Sequence, residues 1–252
     1  MIYKCAISTD IGVEREKMED YAAFVELDDE NLFCIIADGT GSRDNCFQPA
    51  MMISTDIAAA VQSFFNDRKE TFLNDPEYFI KRFMFDANRM IGAFHVANEE
   101  LYSGYAASVT CCLFSFSDNT RMMYGASCGN TRLYVIRNGK LNRITNDDTV
   151  AYALFREGRI DSEAYHTDPK RLEMTSGIGL VSNPEIETFG GKLRPNDVVL
   201  MTTDGIHYAL KPEPLAEILL KAGEPLASCQ ALISAAKDVV KYPDNMAAMI
   251  IA

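Results

Sequence analysis

Carboxylates stand at four places in this chain where a loop meets an apolar run. Glu19 and Asp20 come just before residues 21–27, Asp38 follows residues 32–37, Asp204 follows residues 198–203, and Asp244 comes shortly before residues 246–251. Each apolar run is short enough for a buried strand. Asp38 is followed by Gly39 and Gly41, and Asp204 by Gly205. A rigid strand carries the carboxylate to its end, and the glycine lets backbone come close to whatever the carboxylate holds. Hard divalent cations, Mg²⁺ or Mn²⁺, prefer such oxygen ligands. Two ions about 3.5–4 Å apart can clamp an in-line displacement at phosphorus and bring the pKa of a bound water toward neutrality. One Asp would then have to bridge them. Each position also has a plainer reading, because Asp-Gly is a hairpin signal and Asp is a common turn former and cap. Their joint placement on core elements favours the chemical one.

Positioning these groups requires strands whose ends meet. Residues 2–9 read as a first strand, and residues 12–20 as a charged loop. Residues 21–27 and 32–37, separated by Asp28, Asp29, Glu30 and Asn31, read as a hairpin. Residues 50–65 and 77–101 carry apolar side chains at helical spacing, with Asn74, Asp75 and Pro76 marking a helix start. From 107 to 144 the period shortens, and residues 108–116, 121–127, 133–137 and 141–144 read as a meander of strands. The Asn138-Gly139 pair is its strongest turn signal. Residues 148–156 and 161–166 read as two small surface helices flanking Gly158, a segment able to act as a flap beside a site. A second buried strand over 198–203, helices over 213–222 and 226–240, and a last strand after Asn245 complete the order. Strands in runs and helices in runs predict an α+β fold with antiparallel sheets. Helices must cover the outer faces, which points to a four-layer α/β/β/α sandwich over residues 1–252, read as one domain.

The 252 residues, 48% of them apolar, can fill a sizeable core. A formal net charge of −12, from 24 basic against 36 acidic side chains, argues against a nucleic-acid partner, which needs Lys and Arg to displace counterions. Seven cysteines without a Cys-x-x-Cys pair suggest buried thiols in a reducing compartment. The first ten residues lack the pattern of a signal peptide, and no run approaches the ~18 apolar residues of a membrane span. A cytoplasmic protein without a membrane partner is expected. The three histidines are too separated in sequence to suggest a zinc site.

The chain resembles the PPM-type metal-dependent protein serine/threonine phosphatases, also called the protein phosphatase 2C family. The resemblance rests on Gly12-Val-Glu-Arg15-Glu-Lys-Met-Glu19-Asp20, Ala37-Asp38-Gly39-Thr-Gly41, Gly129-Asn130-Thr131-Arg132, Thr203-Asp204-Gly205 and Asp244-Asn245. These motifs occur in the family's order and span essentially the whole chain. Residues 148–179 are similar to the family's flap and the stretch after it.

The resemblance implies hydrolysis of phosphoserine and phosphothreonine by a hydroxide shared between two Mn²⁺ or Mg²⁺ ions, without a phosphoenzyme. It makes Asp38 the bridging ligand, assisted by the Gly39 carbonyl, with Asp204 and Asp244 completing the second ion's set. Glu19 and Asp20 match the acidic pair beside the metals, and Arg15 matches the arginine that grips the substrate phosphate. A planar guanidinium suits a pair of phosphoryl oxygens, which Lys would hold only as a point charge. The leaving oxygen would take its proton from a metal-bound water, with His207 and His166 as side-chain alternatives. Cys46 and the other cysteines lie in no phosphate-cradling loop. Asn130 stands where many relatives have Asp and is a weaker ligand for a hard cation, which puts a third ion in doubt. Thr40 and Ser42 also depart from the usual turn. Phosphorylated proteins are the implied substrates, a Ser/Thr kinase system the implied counterpart, and a monomer the implied state. Two other readings stay open: a regulatory module of the same fold that binds phosphoproteins with weak or no turnover, and a hydrolase of small phosphate esters.

Overall fold

The computed structural model describes residues 3–40, 48–102, 104–239 and 244–252. One antiparallel sheet runs in the order β1 (Cys5–Asp10), β10 (Met246–Ile251), β9 (Val198–Thr202), β6 (Arg132–Arg137) and β7 (Lys140–Arg143). The other runs β2 (Asp20–Glu26), β3 (Asn31–Thr40), β4 (Ala106–Ser117), β5 (Thr120–Cys128) and β8 (Glu187–Leu193). Long helices α1 (Pro49–Asn74) and α2 (Pro76–Ala97) cover the second sheet, and α3 (Glu99–Tyr102) is a single turn after them. The small helices α4 (Val150–Arg156) and α5 (Ser162–Thr167) and a 3-10 turn at Pro169–Leu172 form the flap segment. The single turn α6 (Asp204–His207) leads into α7 (Pro212–Ala222) and α8 (Pro225–Lys237), and α8 packs on β1 and β10 of the first sheet. The expected four layers are therefore present.

The pattern of β3 explains why the sheets stack. Its side chains alternate faces: Phe33, Ile35 and Ala37 join the core beneath α1 and α2, while Leu32, Cys34 and Ile36 join the core between the sheets. A strand buried on both faces reads as an unbroken apolar run. The inter-sheet core continues through Leu133, Val199, Met201 and Met249 from the other sheet. Each fully buried side chain of this size contributes roughly 1.5–3 kcal/mol.

Helix starts follow local chemistry. Pro49, Pro76, Pro212 and Pro225 each occupy the first turn, where a missing N–H costs no hydrogen bond. The Asp75 carboxylate accepts from the Tyr78 N–H at 3.2 Å and caps α2. Asn138 and Gly139 both take positive φ, as a two-residue hairpin requires.

Several boundaries differ from the sequence reading. The first helix extends to Asn74 through a kink at Arg68. The second ends at Ala97, and residues 99–102 form a separate turn. The first strand starts at Cys5 and reaches Asp10. β8, with two glycines and alternating exposure, carries no strand signal of its own and forms because the edge of β5 pairs with it. Asp38-Gly39 is not a turn, since β3 continues to Thr40. Gly41, Ser42, Cys46 and residue 240 lie outside the described residues. Among the described residues, no helix is long and apolar enough to cross a membrane.

Candidate active site

The β2–β3 register sets Asp20 directly opposite Asp38, and the β3–β4 register sets Asp38 opposite Ser108. Asp38 shares strand parity with Leu32, Cys34 and Ile36, so it continues the row that faces the other sheet. That other sheet delivers Thr203 and Asp204 at the end of β9, and Asp244 just before β10. The Thr203 hydroxyl joins the two sheets. It donates to Asp20 Oδ2 at 2.7 Å and accepts from the Ala247 N–H at 2.8 Å.

Asn245 holds the loop that carries Arg15. Its Oδ1 accepts from the Glu19 N–H at 2.6 Å, and its Nδ2 donates to the carbonyls of Ile11 at 2.7 Å and Lys17 at 2.9 Å. Arg15 Nη2 then lies 2.8 and 2.9 Å from the two Asp244 oxygens. Arg15, Glu19, Asp38, Gly39, Asp204 and Asp244 all line one cavity of about 230 Å³. Asp20 does not line it and is buried beside Asp38. Leu172 and Met174, from the end of the flap segment, supply an apolar wall.

The electrostatics are those of crowded carboxylates. Burial, then Asp204, Asp20 and Asp244, push the Asp38 carboxyl well above its ordinary range. Burial likewise raises Asp20, with Asp204 and Asp244 adding to it against the Thr203 hydrogen bond. Asp204 is raised to about 6, chiefly by burial and by Asp244. Burial opposes the charge on Arg15, but its bond to Asp244 and the surrounding carboxylates outweigh this and raise its pKa. Asp20 and Asp204, both buried, and the half-buried Asp38 gather more negative charge than Arg15 offsets, an excess that divalent cations can reduce. The donor set, all oxygen, matches Mg²⁺ and Mn²⁺. Among the described residues no three His, Cys, Asp or Glu side chains close around one point. The carboxylates ring a cavity, an arrangement suited to ions that keep several waters.

Asn130 adds a neutral amide. Its Nδ2 donates to Asp204 Oδ2 at 3.1 Å, its backbone N–H donates to Ser108 Oγ at 2.7 Å, and its buried Oδ1 has no hydrogen-bond partner among the described residues. His207 and His166 do not line the carboxylate cavity; both lie at another one. No described cysteine lines it either.

No protein-family model matches the chain. Over 225 residues, 87% of its length and 83% of the relative's, it is 24% identical to the serine/threonine phosphatase stp of Listeria welshimeri. Its fold matches the crystal structure of serine/threonine phosphatase Stp1 from Staphylococcus aureus with a TM-score of 0.85 at 22% identity, covering 99% of this chain and 94% of that one. Over most of its length the chain is thus similar in sequence to a serine/threonine phosphatase, and it shares the fold of another. Another structural match, the catalytic domain of PstP in complex with two manganese ions, has a TM-score of 0.74 at 24% identity, covering 99% of this chain and 97% of that one.

The positioning groups are less legible than the carboxylates. Ser108 Oγ receives the N–H groups of both Asn130 and Thr131, yet in sequence it is one strand residue among several. Arg132 is almost fully buried and anchors the flap. Its Nε and Nη2 hold the Asp147 carboxylate at 2.9 and 2.6 Å, and Nη2 also donates to the Tyr165 hydroxyl on α5 at 2.7 Å. Arg143 also donates to Asp147. Asp147 lies next to the flap and carries no motif of its own. Its pairing with an arginine fifteen positions earlier is visible only in three dimensions.

Proposed function

We propose that this protein hydrolyses phosphoserine and phosphothreonine in phosphoproteins, with two Mn²⁺ or Mg²⁺ ions held at the carboxylate cavity. The observation that carries the reading is the meeting of Asp38 and Asp204 in one cavity with Arg15, with Asp20 paired beside Asp38 and all three carboxyl pKa values raised. In this reading Asp38 serves both ions, with the Gly39 carbonyl beside it, and Asp204 and Asp244 serve the second. Glu19 at the cavity wall and Asp20 beside Asp38 complete the acidic surround. Ions held there supply an activated water and neutralise phosphoryl oxygens.

The chain's own groups do the rest. Arg15, steered by Asp244, presents its planar donors to the phosphoryl group and orients it. Thr203 fixes Asp20 and so ties the end of β9 to the start of β2 across the two sheets. Leu172 and Met174 exclude water from one side of the cavity. Asn130 holds Asp204 by its amide N–H, and a neutral oxygen at that position makes a third ion no part of the reading. The implied setting is cytoplasmic, with a monomer acting against a Ser/Thr kinase system.

The test is turnover of a phosphothreonine peptide by purified protein with added Mn²⁺, which a chelator should abolish. Arg15→Lys should lower kcat/KM by about tenfold or more, because a point charge replaces a two-pronged donor. Wild type and Asp38→Ala equally inactive on every metal and phosphopeptide would refute the reading. Faster turnover of p-nitrophenyl phosphate than of any phosphopeptide, judged by kcat/KM, would move the substrate class to small esters.

A further inference from the structure

A second cavity, of about 330 Å³, adjoins the last residue of α6, whereas the first residue of that helix, Asp204, lines the carboxylate cavity. Its lining combines His166 and Arg171 from the flap side with His207, Tyr208, Leu210 and Lys211. Its size falls in the range of small-molecule sites.

His207 is the informative residue. It is only 2% exposed, and Nδ1 is engaged with the Thr202 hydroxyl at 2.9 Å. Nε2 is buried and has no hydrogen-bond partner among the described residues. Buried polar atoms are rarely left so, and one at a cavity points to a ligand that completes it. The tautomer in which Nδ1 accepts from Thr202 makes Nε2–H a donor.

The surrounding charge selects the ligand. Arg171 stacks on the Tyr208 ring at 4.6 Å, and the Tyr208 hydroxyl donates to the Arg171 carbonyl at 2.9 Å, so the guanidinium is held at the cavity. Lys211 is exposed at its rim and makes no side-chain cap to α7. Behind them, Arg132 lies 5.3 Å from the same ring, and Arg132 and Arg143 share the one buried carboxylate of Asp147. The charge of Asp204 also acts on Arg171. Burial first, then Arg132, Arg143 and Arg171, hold the His207 imidazole well below its usual pKa, as a locally positive field would. The chain as a whole carries a formal net charge of −12, so this cluster of cations runs against its overall charge. Leu210 and Val239 add apolar surface.

We propose that this cavity binds a small organic anion, its oxyanion head held by Arg171, Lys211 and His207 Nε2 and its apolar stem lying against Leu210 and Val239. The site is separate from the carboxylate cavity and independent of the hydrolytic reading. Because α6 has Asp204 at one end and His207 at the other, an occupant here touches the same four-residue turn that places a catalytic carboxylate.

The experiment uses the full chain, stripped of metal so that no turnover occurs, titrated with phenylphosphonate, which has no hydrolysable ester bond. Histidine imidazole NMR signals report the site, and calorimetry reports affinity. The signals of His166 and His207 should move together while that of His95, bonded to the Tyr105 carbonyl elsewhere, stays. Lys211→Glu, an exposed substitution, should weaken binding about tenfold or more, and Arg15→Ala should leave it unchanged. Benzoate should bind, and neutral benzyl alcohol should not. Unmoved His166 and His207 signals at millimolar phenylphosphonate overturn the proposal. So does binding abolished by Arg15→Ala but kept by Lys211→Glu, which places the anion at the carboxylates. Equal binding of benzyl alcohol overturns the anionic assignment.

Discussion

The same dipeptide, Asp-Gly, closes β3 and follows β9, and the two copies are built differently. Asp38-Gly39 remains inside a strand paired on both sides, with Asp20 and Ser108 as the register partners of Asp38. Asp204-Gly205 leaves its strand and opens the turn of α6. Asp38 is held by its strand and surrounded by acids, and its carboxyl is raised well above the ordinary range. Asp204 accepts from the Asn130 amide and is drawn down by the charge of Arg132, and it is raised only to about 6. The glycines differ as well. A Cβ on Gly205 would come within 2.0 Å of the Asn245 carbonyl oxygen, whereas one on Gly39 would meet the Glu19 oxygen at 2.9 Å and the Ala50 nitrogen at 3.0 Å. An identical signal in sequence thus places a doubly paired strand carboxylate in one sheet and a carboxylate that opens a helical turn at the end of the other.

The sharpest way to break this comparison is to remove each carboxylate in turn. Asp38→Ala should lower kcat/KM for a phosphothreonine peptide by about 10³-fold, and excess Mn²⁺ should not restore it. Asp204→Ala should be partly restored by excess Mn²⁺, because in the proposed arrangement it serves one ion. Equal rescue of both would remove the distinction between a shared and an unshared ligand. The glycines test the backbone half of the contrast. Gly205→Ala should cost about 1–3 kcal/mol of stability through forced displacement of Asn245, and Gly39→Ala about 1 kcal/mol or less, both read from denaturant midpoints.

The smallest effect is on pH dependence in metal-free protein. Burial and Asp244 raise the folded Asp204 carboxyl to about 6, above the ordinary 3.8, so between those values the folded state holds the extra proton. Stability should therefore fall as pH rises through that window and level off above it. Asp38 and Asp20, shifted in the same direction, act with the same sign. Asp204→Asn should flatten its share of the slope. Asn130→Asp, which replaces an N–H donor by a like charge, should extend the slope to higher pH. Melting temperatures across the pH range in chelator would check both.

Much of this was legible in the chain. Residues 32–37 announce a doubly buried strand because an apolar run of that length has both faces to cover, and β3 covers both. Asn138-Gly139 announces its hairpin because few residue pairs accept two positive φ values. β8 could not be read, since its two glycines and exposed side chains leave only the β5 edge to organise it. Arg132 was visible as part of a motif, but its work was not: it closes on Asp147 and Tyr165 across the flap, and no local periodicity records such a pairing.

The sequence by itself determined the kinds of groups available, their order and the strands that carry them, because side-chain chemistry and strand periodicity are local. Only the tertiary structure decided that Glu19 lines the cavity while Asp20 does not, since Glu19 stands in the loop before β2 and Asp20 is the strand residue paired with Asp38 and bonded to Thr203. It also decided that His207 belongs to a different cavity from Asp204. Asp204 opens the α6 turn and His207 closes it, about 4.5 Å further along the helix axis, and the two ends line separate cavities.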